Sequence, residues 1–156
     1  MSNDVFGFIY PSPKGDDYKK LIDYISSIDI GVFRIGKEEL FNIPHEMIPD
    51  GDIFSFLIGD RPDYPNATYL IDYCEYEPDS SVRGFPSNPK DRLNILLDVI
   101  STVFLITNPE KMLVALTDSS QIERIERINH SDIYNVISGD FEIHQGPPDT
   151  LYEIVW

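Results

Sequence analysis

Three acidic groupings and one thiol are the parts of this chain whose residue types could do chemistry: Asp50-Gly51-Asp52, Asp60-x-x-Asp63, Glu75-x-Glu77-x-Asp79 and Cys74. Carboxylates at such spacing can ligate a hard cation, or divide acid and base work on a glycoside. Calcium takes about six to eight oxygens, in a loop where acids alternate, a glycine makes the turn and a glutamate closes the set. Each grouping here stops short of that pattern. Histidine offers little more. His45, His130 and His144 are the whole supply, and none stands at metal-ligand spacing from another histidine or from the cysteine. His45-Glu46 is an adjacent base and acid, whereas His130, just before Ser131, reads as a link between two helices. Cys74 needs a neighbouring histidine to act as a nucleophile, and in an alternating strand it reads as a small buried residue. A glycine-rich phosphate cradle, Gly-x-Ser-x-Gly and Cys-x-x-Cys are all missing. The expectation is therefore a protein that is not an enzyme, with no catalytic residue, no metal site and no cofactor.

Charge says more than motifs do. Between Glu38 and Asp79 there are eleven carboxylates and one cation, Arg61, a local charge of −10 within a chain total of −15. Tyr64, Tyr69, Tyr73 and Tyr76 lie in the same stretch. A field of that sign repels nucleic acid and anionic membrane and draws in basic surfaces. Tyrosine suits such a place because it buries a large area at small entropic cost and keeps a polar tip. The contact candidates are Asp50, Asp52, Asp60, Asp63, Tyr64, Glu75, Tyr76, Glu77 and Asp79, facing a basic protein partner, with no direct nucleic acid and no membrane.

The elements that would position these residues are those of one α+β domain over residues 1–156. At 156 residues with 42% apolar content, the chain can bury a single core. Strands are expected at Val5–Tyr10, Asp29–Ile35 (with Gly31 weakening it), Ile53–Ile58 and Met112–Leu116. The spacing of Tyr18, Leu21, Ile22, Ile25 and Ile28 predicts a helix from Asp16. Asn88, Pro89 and Asp91 open the clearest helix: a cap, a proline at the first position and an acid in the first turn. Its inward stripe is Leu93, Leu96, Leu97, Ile100, Val103 and Phe104. Ala67–Tyr76 reads as a strand forming a hairpin with Ile53–Ile58 across the Asp60–Asn66 loop, and 77–88 as a mobile loop. Ser120 with Glu123 matches a capping box, so Ile122, Ile125 and Ile128 are expected on a short helix. A further helix is expected at 131–138, closed by Gly139, and short strands at 141–143 and 151–156. The sum is a mostly antiparallel or mixed sheet of five to six strands with three to four helices.

A single cysteine permits no internal disulfide. Met1-Ser2-Asn3-Asp4 lacks the basic and apolar runs of a secretory signal, and the apolar run Ile95–Ile106 is shorter than the roughly 20 residues a bilayer span needs. A cytoplasmic protein is expected. Small, acidic, cysteine-poor and rich in tyrosine beside carboxylates, the chain resembles the immunity proteins of bacterial toxin systems, both those of contact-dependent growth inhibition and colicin-type pairs. The resemblance implies an acidic binding protein that neutralises a cognate basic toxin, such as a nuclease, by occluding its active site or an adjacent exosite. The alternatives are a nucleic-acid mimic that inhibits a DNA-binding protein and a metal-assisted hydrolase built on the central carboxylates.

Overall fold

The computed structural model describes residues 4–40, 42–73, 84–118 and 121–156. Six strands form one mixed sheet: β1 (Asp4–Tyr10), β2 (Gly31–Arg34), β3 (Phe54–Gly59), β4 (Lys111–Thr117), β5 (Arg124–Asn129) and β6 (Thr150–Val155). Their order is β2-β3-β1-β4-β6-β5. Every neighbouring pair is antiparallel except β5 with β6, which is parallel. The helices are α1 (Asp16–Ser27), α2 (Thr68–Ile71), α3 (Pro89–Thr107) and α4 (Ile133–His144). The α+β architecture is thus the one expected.

All four helices cover one face of the sheet. There Leu21 of α1, Leu70 and Ile71 of α2, the inner stripe of α3, and Ile133, Ile137 and Phe141 of α4 meet Val5, Ile9, Phe54, Phe56, Val114 and Ile154. The other face carries Phe6, Phe8, Leu113, Ala115 and Leu151, and it is roofed by the β2–β3 connection through Leu40, Ile43, Met47 and Ile48. Two single 3-10 turns, Lys37–Glu39 and His45–Met47, are all the helix that connection holds among its described residues. Alternation along β1 feeds both layers, as a two-sided strand requires. The links β1→β2, β3→β4 and β5→β6 each join parallel strands, step the same way relative to their own strand direction and keep their helices on one face, so the three crossovers share one hand.

The α3 helix starts as its residues dictate. The Asn88 side chain accepts from the Lys90 amide at 2.8 Å, Pro89 occupies the first turn, and the helix ends at Asn108, in the left-handed region, ahead of Pro109. All six residues expected on its inner stripe are buried.

Four expectations fail, each for a tertiary reason. Of the expected strand Ala67–Tyr76, the described residues 67–73 do not form a hairpin strand: α2 occupies Thr68–Ile71, so the consecutive residues Leu70 and Ile71 are both buried, which an alternating strand does not allow. Ile122, Ile125 and Ile128 do not share a helix face. They belong to the approach and body of edge strand β5, whose period of two buries Ile128 under the helices and leaves Ile125 half-exposed on the opposite face. Gly139 closes nothing, because α4 runs through it to Gln145, which adopts φ 54°. Phe141 is consequently the third member of a helical stripe with Ile133 and Ile137, rather than part of a strand at 141–143. Of the expected mobile loop 77–88, residues 77–83 lie outside the described residues. The described remainder is tied down: Phe85 is buried, and the carbonyls of Pro86 and Ser87 accept from Arg92. Among the described residues, no helix is long and apolar enough to cross a membrane.

Candidate functional site

Two glycines prepare the end of the sheet where the exposed acid and tyrosine lie. Gly31 of β2 and Gly59 of β3 sit directly opposite one another. A Cβ on Gly31 would stand 2.2 Å from the Arg61 carbonyl oxygen, and one on Gly59 would stand 2.0 Å from that of Tyr64. The Asp60–Asn66 loop can fold back against the strand ends only because both positions lack a side chain. Gly31 therefore makes room for the site, beyond any weakening of its strand. The loop is closed by backbone bonds from the Tyr64 amide to Arg61 and from the Asp60 amide to Asn66.

Asp60 anchors the helix that comes after this loop. It is 2% exposed, and its two carboxylate oxygens accept from the amides of Tyr69 (3.0 Å) and Leu70 (3.1 Å). Those are the second and third amides of α2, the ones a helix leaves unsatisfied and a capping side chain normally takes. Ala67, at the cap position itself, has no group to offer. A carboxylate from the preceding loop does the work instead, and this is why α2 is a helix. Burial drives the Asp60 carboxyl up from 3.8 to about 6, against the pull of the Tyr69 and Leu70 amides and the positive charges of Arg61 and Arg92.

Arg92 complements it from α3. Only 1% exposed, it donates from Nε to the Tyr69 carbonyl (2.9 Å), from Nη1 to Pro86 (3.0 Å) and Ser87 (2.7 Å), and from Nη2 to Asp72 (3.2 Å). One guanidinium thus fastens the end of α2 and the segment before α3 to the same point. Sequence reasoning missed both buried charges. Arg92 stands one residue before the apolar stripe of α3, and that position is the only local signal of its burial.

On this frame sits a cleft of about 420 Å³ lined by Arg61, Asp63, Tyr64, Thr68, Tyr69 and Phe85, with Asp60 at its base. Tyr69 stacks on Phe85 with centroids 5.2 Å apart, and the Arg61 guanidinium lies 5.3 Å over the same ring. Tyr64 is 49% exposed and Asp63 is exposed beside it.

The expected contact residues are therefore not one surface. Asp63 and Tyr64 stand exposed at this cleft. Asp60 does not belong to a contact surface, because it is buried and committed to the α2 amides. Asp50 and Asp52 are exposed but precede β3, whereas Asp63 follows it, so a six-residue strand, roughly 20 Å, separates the two groups. Near Asp50 the ammonium of Lys37 donates to the carbonyls of Pro49 (2.6 Å) and Gly51 (3.3 Å), pinning that turn. Glu75, Tyr76, Glu77 and Asp79 lie outside the described residues, as does Cys74. Of the remaining tyrosines, Tyr69 packs as described and Tyr73 is half-buried, its ring 5.9 Å from that of Phe141.

The histidines are apart from all of this. His45 and His144 are exposed, and His130 is stacked on Phe104 (5.3 Å) and edge-on to Trp156 (4.7 Å). No group of three His, Cys, Asp or Glu side chains that could hold a metal ion exists among the described residues. The cleft offers a ligand a carboxylate, a phenol and an aromatic floor.

No protein-family model, curated protein or solved structure matches the chain.

Proposed function

We propose that this protein is an acidic binding protein of the cytoplasm that neutralises a cognate basic toxin domain, a nuclease, by covering its active site or an exosite beside it. Contact runs through the sheet end that carries Asp63 and Tyr64. The observation that carries the reading is the placement of Tyr64: a half-exposed ring next to an exposed carboxylate, on a loop closed by its own backbone bonds, accommodated by two strand glycines and joined through Asp60 to the amides of α2. A rigid aromatic anchor with a charge at its flank is the composition of an interface centre, and pre-ordering the loop lowers the entropy lost on docking. The chain charge of −15 adds long-range attraction to a cationic surface.

The test is protection of cells that co-express this chain with each of a panel of basic nuclease toxin domains, the cognate one being the domain it neutralises. The intact chain protects, Asp63→Lys together with Tyr64→Ala does not, and Glu110→Lys, exposed just before β4, still does. In kinetic terms, Tyr64→Ala speeds dissociation by an amount equivalent to about 2 kcal/mol, while Asp63→Lys mainly slows association and flattens its salt dependence. Full protection by the double variant would remove this loop from the interface.

A further inference from the structure

We propose that the partner seat continues from the Asp63–Tyr64 cleft, over the Arg61–Phe85 ridge, into a second recess, and that the whole groove takes a basic amphipathic segment of the partner with one cationic side chain in each recess. The proposal rests on the binding reading above and extends it to residues outside the acidic stretch.

The second recess, of about 460 Å³, is walled by Ile28 and Ile30 between α1 and β2, by Ile95 and Val99 of α3, and by Phe85. Asp60, Arg61 and Phe85 line both recesses, so the two are halves of one groove divided by a single ridge. On that ridge the groove's own cation is accounted for, since the Arg61 guanidinium rests on the Phe85 ring.

The rim of the second recess is negative from three sides. Asp29 and Asp98 are both exposed there. The third contribution is the C-terminal end of α1, which carries no basic residue in its last turn; the Ser27 hydroxyl donates to the Tyr24 carbonyl there, but no cation offsets the negative end of the dipole. Asp98 is also held in place, accepting a hydrogen bond from the hydroxyl of Tyr134 on α4. Apolar walls beneath an acidic rim suit the side chains of arginine and lysine, which lay an aliphatic stem on apolar surface and keep the charge at its edge. The first recess repeats the arrangement, with Tyr64 as wall and Asp63 as rim. Complementarity of charge and stem, twice along one groove, is what selects a basic segment as occupant.

The test uses the full ¹⁵N-labelled chain and a blocked pentapeptide with arginine at both ends and three apolar residues between, at low ionic strength. Amide shifts are expected at Asp29, Arg61, Tyr64, Phe85 and Asp98. Asp29→Asn with Asp98→Asn, the latter still able to accept from Tyr134, should weaken binding about fivefold. Glu110→Gln, which removes a charge elsewhere, should leave it unchanged. Shifts confined to Asp63 and Tyr64, with no loss in the double variant, would overturn the extension and leave the underlying reading intact. Equal losses in Glu110→Gln would mark diffuse attraction and overturn it as well. No shifts at all would overturn the groove, while the binding reading beneath it stands or falls on the protection assay.

Discussion

Asp60 makes the stability of this protein depend on pH in a direction opposite to that of most carboxylates. Burial raises its carboxyl from 3.8 to about 6 in the folded state, while the unfolded chain keeps the ordinary value. Between those two values the folded state holds a proton that the unfolded state has released. Stability therefore falls as pH rises through this window. At about 1.36 kcal/mol per unit, a shift of roughly two units amounts to about 3 kcal/mol, present below pH 4 and gone above pH 6. The fall in net negative charge on acidification acts in the same direction, so the comparison has to be with Asp60→Asn. That variant does not titrate, and with one acceptor for two amides it stands about 1–3 kcal/mol below wild type at low pH. Urea unfolding of both proteins from pH 3.5 to 8 should show wild type ahead by a margin that shrinks by about 3 kcal/mol as pH rises. The Asp60 carboxyl carbon should titrate by NMR near pH 6. A midpoint at or below pH 4 would refute the reasoning. It would mean that the Tyr69 and Leu70 amides, with Arg61 and Arg92, outweigh the cost of burying the charge.

Arg92→Met, which keeps bulk but leaves four backbone carbonyls without their donor, should cost about 3 kcal/mol or more in urea unfolding. Arg92→Lys should recover only part of that, since a point charge cannot reproduce the guanidinium fork; a loss under about 1 kcal/mol for Arg92→Met would show that the clamp is dispensable. Two glycine substitutions should act with opposite sign. Gly139→Ala meets no atom within 4 Å inside α4 and should stabilise by about 0.5–1 kcal/mol, whereas Gly31→Ala drives a methyl into the Arg61 carbonyl and should lower the melting temperature. Melting temperatures that move the same way for both would contradict the packing described. Tyr152→Phe removes the hydroxyl that donates to Asp140 at 2.7 Å, at the point where Asp140 also meets Arg124, and should cost about 1 kcal/mol in thermal unfolding.

What the residues decided alone are the features governed by neighbours along the chain. β1, β3, β4 and β6 follow from short apolar runs bounded by turns. The start of α3 follows from Asn88-Pro89 and a stripe of period 3.6, and the net charge of −15 follows from composition alone. The features that escaped are those set by groups distant in sequence. A helical turn at Thr68–Ile71 depends on a carboxylate eight residues upstream of its first residue, and β5 is a strand because β6 lies alongside to pair with it. Carboxylates that read as one belt divide into two ends of β3 and one buried cap, because a strand of fixed rise stands between them. Backbone hydrogen bonds must be satisfied wherever a segment is buried, and only the tertiary structure says which distant group satisfies them. For the same reason the chain by itself announced an acidic surface, whereas the fold chose which acids remain on it.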